Sequence, residues 1–153
     1  MNFIDEAYLE IMAGDGGSGA SSFRREKFIP FGGPDGGDGG KGGDIYFKVN
    51  SNVNTLVDFQ NKKNFNAQNG ERGAGKNKFG AAGQDLIIEV PKGTVIYDND
   101  SNEELIDCTD ESVNYLVAKG GDGGLGNAKF KSSTNQAPRK STTGFEGQKR
   151  SLR

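Results

Sequence analysis

Four groups of basic residues in this chain stand next to glycine-rich stretches, and an aromatic residue adjoins three of the four. Arg24, Arg25 and Lys27 lie between Phe23 and Phe28. Lys76 and Lys78 lead into Phe79. Lys129 and Lys131 bracket Phe130, and Arg139 with Lys140 follows Pro138. Ammonium and guanidinium groups neutralise phosphates, while aromatic rings and guanidinium planes stack on unpaired bases. Each residue alone reads as a solvated charge or a core phenylalanine. The recurrence of the pairing beside glycine points to RNA contact from a set of loops.

Other stretches mimic nucleotide sites. Gly37-Asp38-Gly39-Gly40-Lys41-Gly42 and Gly121-Asp122-Gly123-Gly124-Leu125-Gly126 both fit G-x-G-x-x-G. A dinucleotide fingerprint needs a helix after the glycines to hold the pyrophosphate, and residues 127–133 show no apolar helical period. Gly70-Glu71-Arg72-Gly73-Ala74-Gly75-Lys76-Asn77 approaches a P-loop, with Asn77 in the place of the Ser or Thr that would hold Mg²⁺. A chain with 25 glycines produces such matches by chance. No catalytic, cofactor or metal residue is therefore expected in this segment. The chain has no histidine and one cysteine, Cys108. Histidine-based acid–base catalysis, His-containing triads, a Cys/His zinc site and an intrachain disulfide are excluded.

The elements that must position the basic groups are marked by the glycines. From Asp35 the chain reads X-Gly-Gly, with Gly36, Gly37, Gly39, Gly40, Gly42 and Gly43 alternating with Asp38 and Lys41. The same period of three links Gly14 to Gly17, Gly120 to Gly123, and Gly121 to Gly124. A polyproline II helix has three residues per turn and no internal hydrogen bonds. An X-Gly-Gly repeat leaves two of its three faces bare, so neighbouring backbones can press against them. Flexible linkers explain the composition but need no such register. Ordered, mutually packed polyproline II rods are expected, with Asp35, Asp38 and Lys41 facing outward.

The rods need a base. Ala7–Ala13, Asp44–Val49, Leu86–Val90, Thr94–Tyr97, Glu104–Cys108 and Tyr115–Ala118 read as short strands, and Asn54–Phe59 as a helical turn. The expected fold is mainly β with little α-helix. It is a small β-barrel base with protruding glycine-rich loops that form packed polyproline II helices, all in one domain over residues 1–153. Hydrophobic residues make up 32% of the chain, enough for one small core. Net charge is −2, so any polyanion contact must be local. Residues 98–111 are acidic without a base, whereas Glu146 is the one acid among the bases of residues 127–153. No apolar run is long enough to span a membrane, and the N-terminus lacks a signal-peptide pattern. A cytoplasmic monomer is expected.

Several motifs together resemble the N-terminal domain of the Obg/CgtA family of bacterial ribosome-associated GTPases. They include Ala13-Gly14-Asp15-Gly16-Gly17, Phe23-Arg24-Arg25-Glu26-Lys27-Phe28-Ile29-Pro30, Gly32-Gly33-Pro34-Asp35-Gly36-Gly37, Asn54-Thr55-Leu56, Val90-Pro91-Lys92-Gly93-Thr94, Gly124-Leu125-Gly126-Asn127 and Phe130-Lys131-Ser132-Ser133. The match runs along essentially the whole chain. It implies a fragment whose parent carries a following GTPase domain, which supplies GTP/GDP binding, Mg²⁺ and hydrolysis. It implies docking on the large (50S) ribosomal subunit, against 23S rRNA and nearby ribosomal proteins near the peptidyl-transferase region. The role implied is in late ribosome assembly, with links to stress response and cell-cycle control. Arg24, Arg25, Lys27, Lys76, Lys78, Lys129, Lys131, Arg139 and Lys140 are the rRNA-contact candidates. Ala81 and Ala82 stand where the family often has bases, which leaves Lys76 and Lys78 to serve that patch. The alternative is a structural or protein-interaction module, in which residues 98–111 recruit a basic partner or contact the GTPase domain.

Overall fold

Alternation of apolar and polar side chains sets the strands, because successive residues of a strand face opposite ways. The computed structural model describes residues 7–23, 33–52, 64–130 and 142–152. They form eight strands: β1 (Leu9–Met12), β2 (Ile45–Val49), β3 (Asn64–Asn66), β4 (Leu86–Val90), β5 (Thr94–Tyr97), β6 (Glu104–Cys108), β7 (Asn114–Ala118) and β8 (Lys149–Leu152). One 3₁₀ turn, Asn127–Phe130, is the helical element among the described residues. The expected turn at Asn54–Phe59 lies outside them.

Two three-stranded sheets, ordered β3-β1-β8 and β4-β2-β7, accompany a β5-β6 hairpin. In each three-stranded sheet the central strand has one parallel and one antiparallel neighbour. The inward residues Leu9 and Ile11 of β1, Ile45, Phe47 and Val49 of β2, Phe65 of β3, Ile88 and Val90 of β4, Val117 of β7 and Leu152 of β8 make one core. Ile96 and Cys108 from the hairpin join it. Among the described residues the sheets remain separate and do not close into the expected barrel. Strands of three to five residues run out before the tilt and stagger of a closed barrel develop.

Each strand of the two larger sheets continues into a glycine-rich rod. β1 runs into residues 13–20, β3 into 68–74 and β7 into 119–127; residues 35–43, 78–84 and 142–148 return to β2, β4 and β8. Each of the three excursions leaves one sheet or the other and returns as a strand that pairs in a different place. β1 leaves the first sheet and β2 enters the second; β7 leaves the second and β8 enters the first. The rods thereby tie the sheets together.

The rods have no internal ladder; their N–H groups bond to neighbouring rods every third residue. Gly14, Gly17 and Ala20 donate to the carbonyls of Gly43, Gly40 and Gly37 at 2.8, 2.9 and 2.9 Å. Gly37, Gly40 and Gly43 donate in turn to Ala74, Glu71 and Gln68 at 3.0, 2.8 and 2.8 Å. Gly39 and Gly42 donate to Gly124 and Gly121, while Gly121, Gly124 and Asn127 donate to Gly14, Gly17 and Ala20. The three-residue period is that of polyproline II. Residues 13–20 and 35–43 are central, each bonded to four other rods.

Glycine is required there for space. A Cβ on Gly40 would fall on the carbonyl of Ala81, one on Gly17 on that of Glu71, and one on Gly123 on that of Gly39. Gly36 and Gly120 are blocked likewise, by Ala20 and Gly42. Among the described glycines only Gly93, between β4 and β5, has a left-handed φ, +87°, and a Cβ there would meet nothing within 4 Å.

Candidate nucleic-acid interface

The end of the stalk away from the strands is built by four pieces of chain. These are Ala20–Phe23, Gly33–Gly36, the turn Ala74–Lys78, and the 3₁₀ turn Asn127–Phe130. Asn127, fully buried, locks them together. Its Oδ1 accepts from Gly36 N–H at 2.8 Å, its Nδ2 donates to Ser22 O at 2.8 Å, and its own N–H donates to Ala20 O at 2.8 Å. A buried amide satisfied on both ends fixes geometry, since any displacement leaves donors or acceptors unpaired.

Asp35 holds the hairpin turn. It is 7% exposed, so it does not face outward as its place in the X-Gly-Gly repeat suggests. Its Oδ2 accepts from Lys76 N–H at 3.0 Å and its carbonyl accepts from Asn77 N–H at 2.6 Å. Lys76 and Asn77 both take left-handed φ values, +61° and +56°, as a tight hairpin turn requires. Non-glycine residues pay for that conformation, and the two bonds to Asp35 offset the strain. Asp35 Oδ1 is buried without a hydrogen-bond partner, a further cost that the clamp carries.

Asp38 is also drawn into the structure. Its Oδ1 accepts from Gly126 N–H at 2.9 Å, and its Oδ2 lies 3.9 Å from Lys129 Nζ. Acids and amides repeat this role along the stalk, pairing N–H groups that the three-residue register leaves over. Asp15 accepts from Gly147 N–H, and Asp44 from Gly120 N–H at 2.7 Å. Lys41 is half-buried and reaches Asp44 Oδ1 at 2.6 Å rather than standing free. Burial pushes the Asp44 carboxyl up, but the Lys41 ammonium, the Gly120 N–H and the Tyr46 hydroxyl outweigh it and hold the group below the usual carboxylate range.

Three candidate cations fall within the described tip. Lys76, Lys78 and Lys129 are all exposed. Lys129 Nζ sits 6.0 Å from the centroid of the Phe79 ring, and Phe79 is 66% exposed. Thus the turn 127–130 places a cation beside an open aromatic ring that directly follows the turn 74–78, distant in sequence. Arg24, Arg25, Lys27, Lys131, Arg139 and Lys140 lie outside the described residues. The flanks of their segments, Phe23 with Gly33 and Phe130 with Thr142, belong to this same end of the stalk. Asp35 and Asn127 do not stand out in the sequence as positioning residues. Their one signal is a polar side chain at the boundary of a glycine register.

Glycine N–H groups of the nucleotide-like motifs are used to bond neighbouring rods. In the first, the N–H groups of Gly37, Gly39, Gly40 and Gly42 are donated to neighbouring rods, and in the second those of Gly121, Gly124 and Gly126 are likewise engaged. In the P-loop-like stretch, Gly73 donates to Ser18 O, and Lys76 and Asn77 to Asp35. A P-loop binds phosphate with such N–H groups unengaged; here they are bonded within the stalk.

The opposite pole is different. On the β5-β6 hairpin, Asp98 accepts from the N–H groups of Ser101 and Asp100, which together with Arg150 hold its carboxyl below the usual range. Arg150 on β8 stands 3.6 Å from it. Part of the acidic segment is therefore used within the base. Cys108 is buried in the core, where desolvation pushes its thiol up to about 11. No helix of the described residues is long and apolar enough to cross a membrane.

The described residues build a two-sheet base that carries a stalk of interbonded glycine rods with a cationic and aromatic tip. Over residues 4–153 the chain matches the GTP1/OBG family. It belongs to that family, and the matched region is the family's N-terminal, GTPase-associated module.

Proposed function

We propose that this chain is the ribosome-docking module of an Obg-type GTPase. The tip of the stalk contacts rRNA of the large ribosomal subunit near the peptidyl-transferase region, in late assembly. GTP, GDP and Mg²⁺ are handled by the GTPase domain of the longer parent protein, which works in the cytoplasm. The observation that carries this reading is the tip itself: exposed Phe79 with Lys129 beside its ring, and exposed Lys76 and Lys78 on the turn that leads into it. The rods leave little side-chain bulk along the shaft, so a narrow probe can enter a crowded RNA cleft. Its rigidity means that little conformational entropy is lost on docking.

The test is co-sedimentation with isolated large subunits across a salt titration. Charge reversal at Lys76 and Lys78, and separately at Arg24, Arg25, Lys27 and Arg139, is expected to abolish binding at moderate salt. The native chain should lose affinity steeply as salt rises, because phosphate contacts release counterions. Salt-independent binding, equal in native and reversed chains, would rule the reading out. Charge removal within residues 98–111 tests the protein-interaction alternative. Loss of subunit binding from that change alone would favour it.

A further inference from the structure

Resting on the RNA-docking reading, we propose that Phe79 is the platform on which an unpaired RNA base stacks, with Lys76, Lys78 and Lys129 meeting the phosphates on either side. Phe79 leaves 66% of its surface exposed. Its backbone has no freedom to turn the ring inward. On one side, Lys78 is pinned by the Ala74 N–H, which donates to its carbonyl at 2.9 Å. On the other, Gly80 donates to Asp38 O at 2.9 Å and packs so tightly on Glu71 that no Cβ fits. The ring thus projects from a held point at the end of the stalk.

The surroundings choose the occupant. Residues 74–80 contain two lysines and no acid, and Lys129 approaches from the other turn at 6.0 Å from the ring centroid. Asp38 sits 3.9 Å from Lys129 and is itself bound to Gly126 N–H, so it orients the ammonium beside the ring. An apolar protein side chain could cover the ring, but it would offer nothing to the exposed lysines Lys76 and Lys78 of the adjoining turn. A nucleotide supplies a flat π face and phosphates one linkage away in each direction. Phe145 provides a contrast within the molecule. It is 65% exposed, but it lies in the middle of the rod 142–148 and is followed by Glu146.

The experiment uses the whole chain and a short, unstructured, end-labelled oligoribonucleotide, with binding read by fluorescence anisotropy at several salt concentrations. Phe79→Ala is expected to bind about tenfold more weakly, with the dependence on salt unchanged because the phosphate contacts remain. Phe79→Trp should restore the affinity. An oligonucleotide of abasic riboses should erase the difference between native chain and Phe79→Ala. Phe145→Ala should bind as the native chain does, and all variants should share its melting temperature, since neither ring is buried. If Lys76→Glu with Lys78→Glu weakens binding and flattens the salt dependence while Phe79→Ala does neither, the stacking proposal is overturned and RNA docking stands. If no lysine or phenylalanine variant changes RNA binding, both readings fall. A loss confined to protein-covered subunits, with naked RNA bound normally, would assign Phe79 to a protein partner and overturn the proposal. An equal loss from Phe145→Ala would overturn it as well.

Discussion

The base and the stalk are held together by opposite means. In the base, side chains do the work: Phe47, Ile45, Ile11 and Leu152 are almost fully buried, and the strands are short. In the stalk there are almost no side chains to bury. Backbone N–H groups pair across rods every third residue, and the absence of Cβ atoms lets them approach. A hydrophobic core tolerates redistribution of volume and loses stability when atoms are removed. A glycine-rod bundle loses nothing by being small and fails when any atom is added. The two halves therefore respond to mutation with opposite signs of volume change.

The largest effect is expected from Gly37→Val or Gly40→Val. Each Cβ would collide with a neighbouring carbonyl, of Lys78 or Ala81, and backbone cannot swing aside as a side-chain end can. We expect a local cost of about 5 kcal/mol or more. Amide exchange protection should vanish across the rods while β2 and β4 keep theirs. Retained protection in the rods would show that the packing is looser than the bonds imply. Phe47→Ala reverses the logic. It should cost about 3–4 kcal/mol in urea-induced unfolding by leaving a cavity between the sheets, and it should lower the protection of strands and rods together.

Glycine itself divides between the two regions. Gly93 has room for a side chain but a left-handed φ of +87°. Gly93→Ala should cost about 1 kcal/mol in thermal unfolding, and Gly93→Asn less, because Asn visits that conformation more easily. The same alanine at Gly40 should cost several times as much. Equal costs at the two sites would erase the distinction between glycine for space and glycine for conformation.

The smallest expected effect lies at the joint of the two regions. Asp44 binds Lys41 and Gly120 N–H, linking the rod 35–43 to the start of the rod 119–127 just above β2. Its folded-state carboxyl is held below the unfolded value. Its contribution is thus complete above the ordinary aspartate pKa of about 4 and is lost as pH falls through the lower folded value. The stability difference between native chain and Asp44→Ala should be constant near neutrality and shrink as the solution is acidified below about pH 4. A difference that grew on acidification would contradict the sign.

Six strands are legible in the sequence because their apolar alternation is local. β3 and β8 are not. Asn64-Phe65-Asn66 offers one apolar residue, and Lys149-Arg150-Ser151-Leu152 is mostly polar. Both exist because β1 supplies an edge on either side. The candidate site was legible as a list of cations beside glycines; that Lys129 comes to lie beside Phe79, 50 positions away, was not. The inward turn of Asp35 was not legible, since the repeat assigns it the same face as Asp38 and says nothing of what lies beside it.

By itself, then, the chain's order of residues determined what is periodic: a three-residue glycine register, a two-residue strand alternation, and the absence of histidine. It also determined the family to which those motifs belong. Only the tertiary structure decided partners. Asp15 meets Gly147 across 132 positions, and Asp44 meets Gly120 across 76. A rod with two bare faces can accept many neighbours. Which one it takes depends on where the strands deliver it, and that depends on how the two sheets share their core.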